Sequence, residues 1–204
     1  MPTTAIIHHA FGVPFRAKRT AEANHSQDRY IKCKMTKVIT NKRRLIAILL
    51  AWVIFIGIDF LFHASLFSAF WNDEIAALKP PKDLALLIPA GYLSFLLLTS
   101  LIGFIFFKVF KTKSSIESVL NFGFIFALLF SLNNFFGLFS YIDLPAKHLL
   151  VFNFVYFLEI LAVSLSLYYS SYIWSLKKAI FYAILSFFGL VIFGIIVQNL
   201  NSFP

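Results

Sequence analysis

From Leu45 onward the chain consists of long apolar stretches parted by short charged or Pro-rich breaks, with no alternation of period two inside them. Backbone amides cannot go unpaired in hydrocarbon, so apolar runs of roughly 20 residues are expected to be membrane-crossing helices. Five such runs stand out. The first extends from Leu45 to about Trp71, opening with fourteen residues free of charge and closing on an aromatic that suits the interface. The second, from about Leu84 to Phe110, follows the break "NDEIAALKPPKD". The others cover about Ser118 to Tyr141, His148 to Trp174 and Ala179 to Leu200. The residues from 120 to 139 are rich in Phe and Ile, yet a run this long without alternation makes a poor barrel strand. The expected fold is an all-α polytopic bundle of five transmembrane helices over residues 45–200. A four-span count would lay the fourth or fifth run on the membrane surface, and neither has the charged face that requires.

Basic residues resist translocation, so alternate connections can be compared for Lys and Arg. The segment before the first run holds ten, the second connection Lys108, Lys111 and Lys113, and the fourth Lys177 and Lys178, giving 15 on one side. Lys79, Lys82 and Lys147 give 3 on the other, and 15 plus 3 uses all 18. The bias predicts the amino terminus inside and the carboxyl terminus outside.

Composition agrees. Hydrophobic residues make up 60% of the 204 and charged residues 13%, with a mean hydropathy of +0.83, whereas a soluble domain is about half apolar and about a quarter charged. With 27 Phe and 8 Tyr, the apolar surface exceeds what one soluble core of this length could hide. The net charge of +9 would suggest nucleic acid if it were spread over the surface, but residues 1–44 carry +8 of it, ten Lys/Arg less two Asp/Glu. A basic flank beside an apolar run is the signature of an anchor attracted to anionic lipid, so the partner expected is the bilayer, with no nucleic acid. A single cysteine, Cys33, excludes an internal disulfide framework and a metal site of paired cysteines.

Residues 1–34 have no apolar stretch long enough for a signal peptide, and residues 1–44 have the composition of a basic, disordered cytoplasmic segment. Met35 is the one methionine besides Met1. A start there would make residues 1–34 a mis-assigned extension and keep Lys37, Lys42, Arg43 and Arg44 as the anchor, so both starts stay open. His8, His9, His25 and Cys33 show no recognised ligand spacing, so no metal and no cofactor are expected.

A few residues are ones lipid should reject. Asp59 and His63, in "GIDFLFHASL", lie at i and i+4 and share one helix face, where an aspartate can hold an imidazole in one tautomer. Glu159, in "FVYFLEILAVSL", is the third. A charge at mid-bilayer costs at least about 2.5 to 3.5 kcal/mol, so such groups turn inward, pair or become neutral. At about 1.5 Å per residue, Asp59 lies about 18 Å below Trp71 and Glu159 about 17 Å below His148. They are level, and if they meet they must share a proton or use His63 as counter-ion. His63, Asn133 and Tyr92 come at about 12 Å, with Asn134 one residue shallower. The inner half offers little beyond Thr99 and Ser100. This asymmetry predicts a polar pocket opening outward, lined by Asp59, His63, Tyr92, Asn133, Asn134 and Glu159. Gly123, Ala127 and Ser131, at successive i+4 positions, form a small-residue stripe of the kind on which membrane helices pack, and Asn134 extends that face. Pro89 and Gly91 loosen the first turns of the second run, and Gly189 and Gly194 suit neighbour contact in the fifth.

Two resemblances rest on quoted stretches. The five runs with the "ALKPP" element after Trp71 resemble the translocator or tryptophan-rich sensory proteins over Leu78–Pro81. The Trp-rich helices of that family have no counterpart, with Trp52, Trp71 and Trp174 the full set, so its porphyrin or sterol ligand is not carried over. "DFLFHASLFSAFW" and "GFIFALLF", within Ala51 to about Tyr169, resemble small polytopic bacterial membrane proteins of unknown function. That likeness implies the bacterial inner membrane and no particular activity.

Two functions remain open. The chain binds or moves a small polar or protonatable solute through the outward cluster, or it is a structural or accessory subunit whose polar residues only lock helices. An enzyme on a lipid-type substrate is disfavoured, because Asp73, Glu74, Asp83, Asp143 and His148 form no recognised constellation near the headgroups. Haem is disfavoured because His63 and His148 are expected at different depths. Five helices without internal duplication are few for a transporter, so transport would imply a homo-oligomer or a membrane partner.

Overall fold

The computed structural model describes residues 39–68 and 81–201. Helix α1 (Asn41–Asp59) continues without a break into a π-helical segment, Phe60–Leu66. Helices α2 (Pro81–Val109) and α3 (Ile116–Tyr141) follow, then α4 (Ala146–Tyr168), which continues as a π-helical segment Tyr169–Ile173, and α5 (Leu176–Asn201). All five are long and apolar enough to cross a membrane, and no strand occurs among the described residues. The chain is an all-α, multi-pass membrane protein.

Every helix begins a few residues before the apolar run that announces it: at Asn41 rather than Leu45, Pro81 rather than Leu84, Ile116 rather than Ser118, Ala146 rather than His148, and Leu176 rather than Ala179. Hydrocarbon sets where a helix must be apolar, whereas capping sets where it starts. The Thr40 hydroxyl accepts from the Arg43 backbone N–H at 3.3 Å, and that of Ser115 from the Ser118 N–H at 3.2 Å. The expectations for residues 1–38, for Trp71 and for Leu78–Lys79 lie outside the described residues.

Helices α1 and α4 are central: α1 packs on α2, α4 and α5, and α4 packs on α1, α2 and α3. Along their apolar stretches, α4 is the most buried of the five and α5 the least. Toward the start of α1 the core is apolar and rich in aromatics, built on Ala51, Phe55, Ile102, Phe106, Ile160 and Val163, with Phe106 edge-on to both Phe107 and Phe122. At that end Arg43 donates from Nε to the Ser170 carbonyl at 2.8 Å and from Nη2 to the Trp174 carbonyl. It thereby satisfies carbonyls that the last turn of α4 leaves without helical partners. Tyr168 donates to the Ser114 carbonyl at 3.0 Å and Tyr172 to that of Phe110. The outward faces carry Leu97, Phe104, Leu129, Phe136, Phe181, Leu185 and Ile192, a surface that suits lipid rather than water.

Candidate functional site

Helix α1 owes its rotation to α5. A Cβ on Gly57 would meet Leu190 Cδ1 at 3.2 Å, and one on Gly194 would meet Ser65 Oγ at 2.7 Å and Phe60 at 3.1 Å. Glycine at both places lets the two backbones close up, and Gly57, Leu61 and Ser65 are all buried. Asp59 is two residues from Gly57, about 200° around the helix axis. With one stripe of α1 committed to α5, Asp59 and His63 turn to the opposite side, toward α4. The switch to π-helical turns falls immediately after Asp59. Widened turns of this kind recur where a helix has to re-aim side chains.

Helix α4 presents Glu159 to that side. One donor atom each from Asp59, His63 and Glu159 lie within 4.8 Å of one another. His63 Nε2 stands 3.7 Å from Asp59 Oδ1, a charge-pair distance longer than a hydrogen bond. Glu159 is fully buried, and neither of its carboxylate oxygens has a hydrogen-bond partner. Asp59 and His63 are about one-fifth exposed, so the cluster is shut on the α4 side and reachable on the α1 side. Among the described residues no lysine or arginine pairs with either carboxylate. Tyr156, one turn before Glu159 on α4, is within electrostatic reach of both. The His63 ring packs at 5.6 Å from that of Phe152.

The remaining residues picked from the sequence go elsewhere. Asn134 donates from Nδ2 to Asn153 Oδ1 at 3.0 Å, bridging α3 and α4. Asn133, its neighbour, lies on the exposed face of α3. Tyr92 is 37% exposed, and its backbone carbonyl accepts from Trp52 Nε1 at 3.0 Å. Thus two central helices build the cluster, and the amide pair sits beside it as a separate contact. His148, expected at the interface, is buried at 2% exposure.

No family model, no curated protein and no solved structure matches this chain. What the site can do therefore rests on its chemistry. Gly123, Ala127 and Ser131 are buried along α3, and a Cβ on Gly123 would meet Ser164 Cβ of α4 at 3.0 Å, so the stripe is a packing seam. Two residues escaped the sequence reading. Asn153 is a buried polar residue six positions before Glu159, and its amide side chain carries no charge that lipid would mark out. Tyr156 reads as one more aromatic among many until Glu159 is placed beside it. A cleft of about 300 Å³, lined by Asn134, Leu138, Ile142, Leu144, His148, Leu149 and Phe152, opens near the connection between α3 and α4. Phe152 touches both the cleft and the His63 ring, so one side chain stands between the cleft and the cluster.

Proposed function

We propose that this protein binds, and passes between membrane and one aqueous side, a small polar or protonatable solute held by Asp59, His63 and Glu159. One observation carries the reading: a fully buried glutamate whose two oxygens find no partner faces an aspartate and an imidazole. A structural carboxylate is normally hydrogen-bonded, because burying the ion without partners costs several kcal/mol, as an order-of-magnitude estimate. The solute enters from the end where α3 joins α4, since the opposite end is closed by the aromatic core. By the excess of basic residues that closed end is cytoplasmic, with the amino terminus inside, and the membrane is a bacterial inner membrane. Binding without catalysis fits a cluster this far from the headgroups. Movement of solute would require a second copy or a membrane partner, because five helices hold one such cluster.

The test is labelling with dicyclohexylcarbodiimide, an apolar reagent that attacks protonated carboxyls within membranes. Mass spectrometry is expected to find the adduct at Glu159 or Asp59, with slower labelling when solute is bound. Absence of adduct at both positions overturns the reading. A purely structural role draws support from the Asn134–Asn153 bond, a helix lock that needs no solute. On that view Asp59 and His63 would likewise only pin α1.

A further inference from the structure

The cluster has the composition of a metal site. Building on the proposed solute site, we infer that Asp59, His63 and Glu159 bind a first-row divalent transition-metal ion of the zinc class. Their donor atoms converge within 4.8 Å, and neither carboxylate oxygen of the buried Glu159 has a hydrogen-bond partner. His63 Nε2 and Asp59 Oδ1 stop at 3.7 Å. An ion with ligands at about 2.1 Å sets tetrahedral neighbours roughly 3.4 Å apart, so this pair stands close to the spacing of two ligands on one ion. Glu159 of α4 offers the third ligand from within the same 4.8 Å.

Charge selects the valence. Two carboxylates carry −2, a divalent ion carries +2, and a neutral imidazole adds nothing, so the loaded site is neutral where the dielectric is low. A monovalent ion would leave one uncompensated buried charge, which is costly. Ligand type selects the metal. Magnesium and calcium prefer all-oxygen shells, whereas an imidazole beside carboxylates suits zinc, manganese, iron or cobalt. Three protein ligands leave a coordination position open, as in sites that exchange or activate a ligand rather than in closed structural ones. The cleft by Phe152 supplies an entry path to His63.

The same spacing was invisible along the chain because two ligands lie on α1 and the third comes from α4, a hundred residues later.

The full chain, stripped with chelator and held in lipid nanodiscs, is titrated with zinc by calorimetry and with cobalt(II) by visible absorption. The expected result is one ion per chain, cobalt d–d bands of a low-coordinate nitrogen and oxygen site, and no displacement by magnesium. Glu159→Gln and His63→Ala are each expected to weaken zinc by at least the roughly 100-fold that loss of an outer ligand partner can cost. A combined variant with His8, His9 and His25 changed to Ala and Cys33 to Ser keeps the affinity. Should Glu159→Gln fail to fold, X-ray absorption of the cobalt-loaded native chain serves, with one imidazole and carboxylate oxygens expected in the shell. Three outcomes overturn the inference: no stoichiometric ion on the native chain, affinity that vanishes with the His8, His9, His25 and Cys33 changes, or a shell without imidazole. Carbodiimide labelling that persists where zinc does not bind removes the metal and leaves the polar-solute site standing. Loss of both removes the site itself.

Discussion

Glu159 of α4 brings a carboxylate oxygen within 4.8 Å of one from Asp59 of α1, and no lysine or arginine among the described residues pairs with either. Two acids meeting at the contact of the central helices is the least economical way to hold those helices together. Apolar residues of the same volume would serve as well or better.

Replacement of Glu159 by Gln separates the two roles. The amide keeps the shape and removes the charge, and the carboxylate has no hydrogen bond to lose. Unfolding of the variant in mixed detergent micelles is expected within about 1 kcal/mol of the native chain, in the ordinary range for a single substitution. A lock between α1 and α4 would show instead the roughly 3–5 kcal/mol lost when a buried pair is broken.

Crowding at Gly194 acts on the cluster from behind. A Cβ there would fall 2.7 Å from Ser65 Oγ and 3.1 Å from Phe60, within the π-helical segment that carries His63. Gly194→Val is expected to cost about 1–3 kcal/mol through overpacking. Because the segment must shift, the His63 environment moves too, which the imidazole resonances of the purified chain would report. Gly194→Ala combined with Ser65→Ala relieves part of the clash, and both the stability and the resonances should recover in step.

The sequence made some of this legible. Asp59 and His63 share a face because four residues on a helix return to nearly the same side, and their level match with Glu159 followed from counting along straight helices. Five helices followed from hydrophobic length alone. Rotation was not legible. Counting along the helices puts Tyr92 and Asn133 at suitable depths, yet both are exposed, since depth says nothing about which way a residue points. The π-helical segments had no announcing glycine or proline, and the tight contact at Gly194 that accompanies the first of them involves a residue about 130 positions away along the chain. Each helix also starts a few residues before its apolar run, since hydrophobicity marks where a helix must be apolar and not where its first turn begins.

At the closed end, Arg43 holds the Ser170 and Trp174 carbonyls together. Arg43→Ala removes two charge-assisted hydrogen bonds, each worth about 1.5–3 kcal/mol net of exchange with water. The expected consequence is local: faster amide hydrogen exchange over residues 169–179, with the Asp59 end unaffected. Arg43→Lys should restore little, because one ammonium cannot span both carbonyls as the guanidinium fork does. Full protection in the lysine variant would show that charge alone, not the fork, holds this end.

The Asn134–Asn153 bridge can be measured as a lock in its own right. Asn134 Nδ2 donates to Asn153 Oδ1 at 3.0 Å, and Asn153 Nδ2 donates onward to the Leu149 carbonyl at 2.7 Å. Asn153→Ala strands the Asn134 amide in a half-buried position between α3 and α4. Interhelical hydrogen bonds in membranes average about 0.6 kcal/mol and reach about 1.7, because the separated helices also find partners. A double-mutant cycle of Asn134→Leu and Asn153→Leu is therefore expected to return a coupling of about that size. The double variant should lose less than the sum of the singles, since removing both partners leaves no unpaired amide. A coupling near zero would mean that the seam of Gly123, Ala127 and Ser131 holds α3 on α4 unaided. Such a result would also weaken the case for a purely structural role of the polar cluster, which was argued from this bridge.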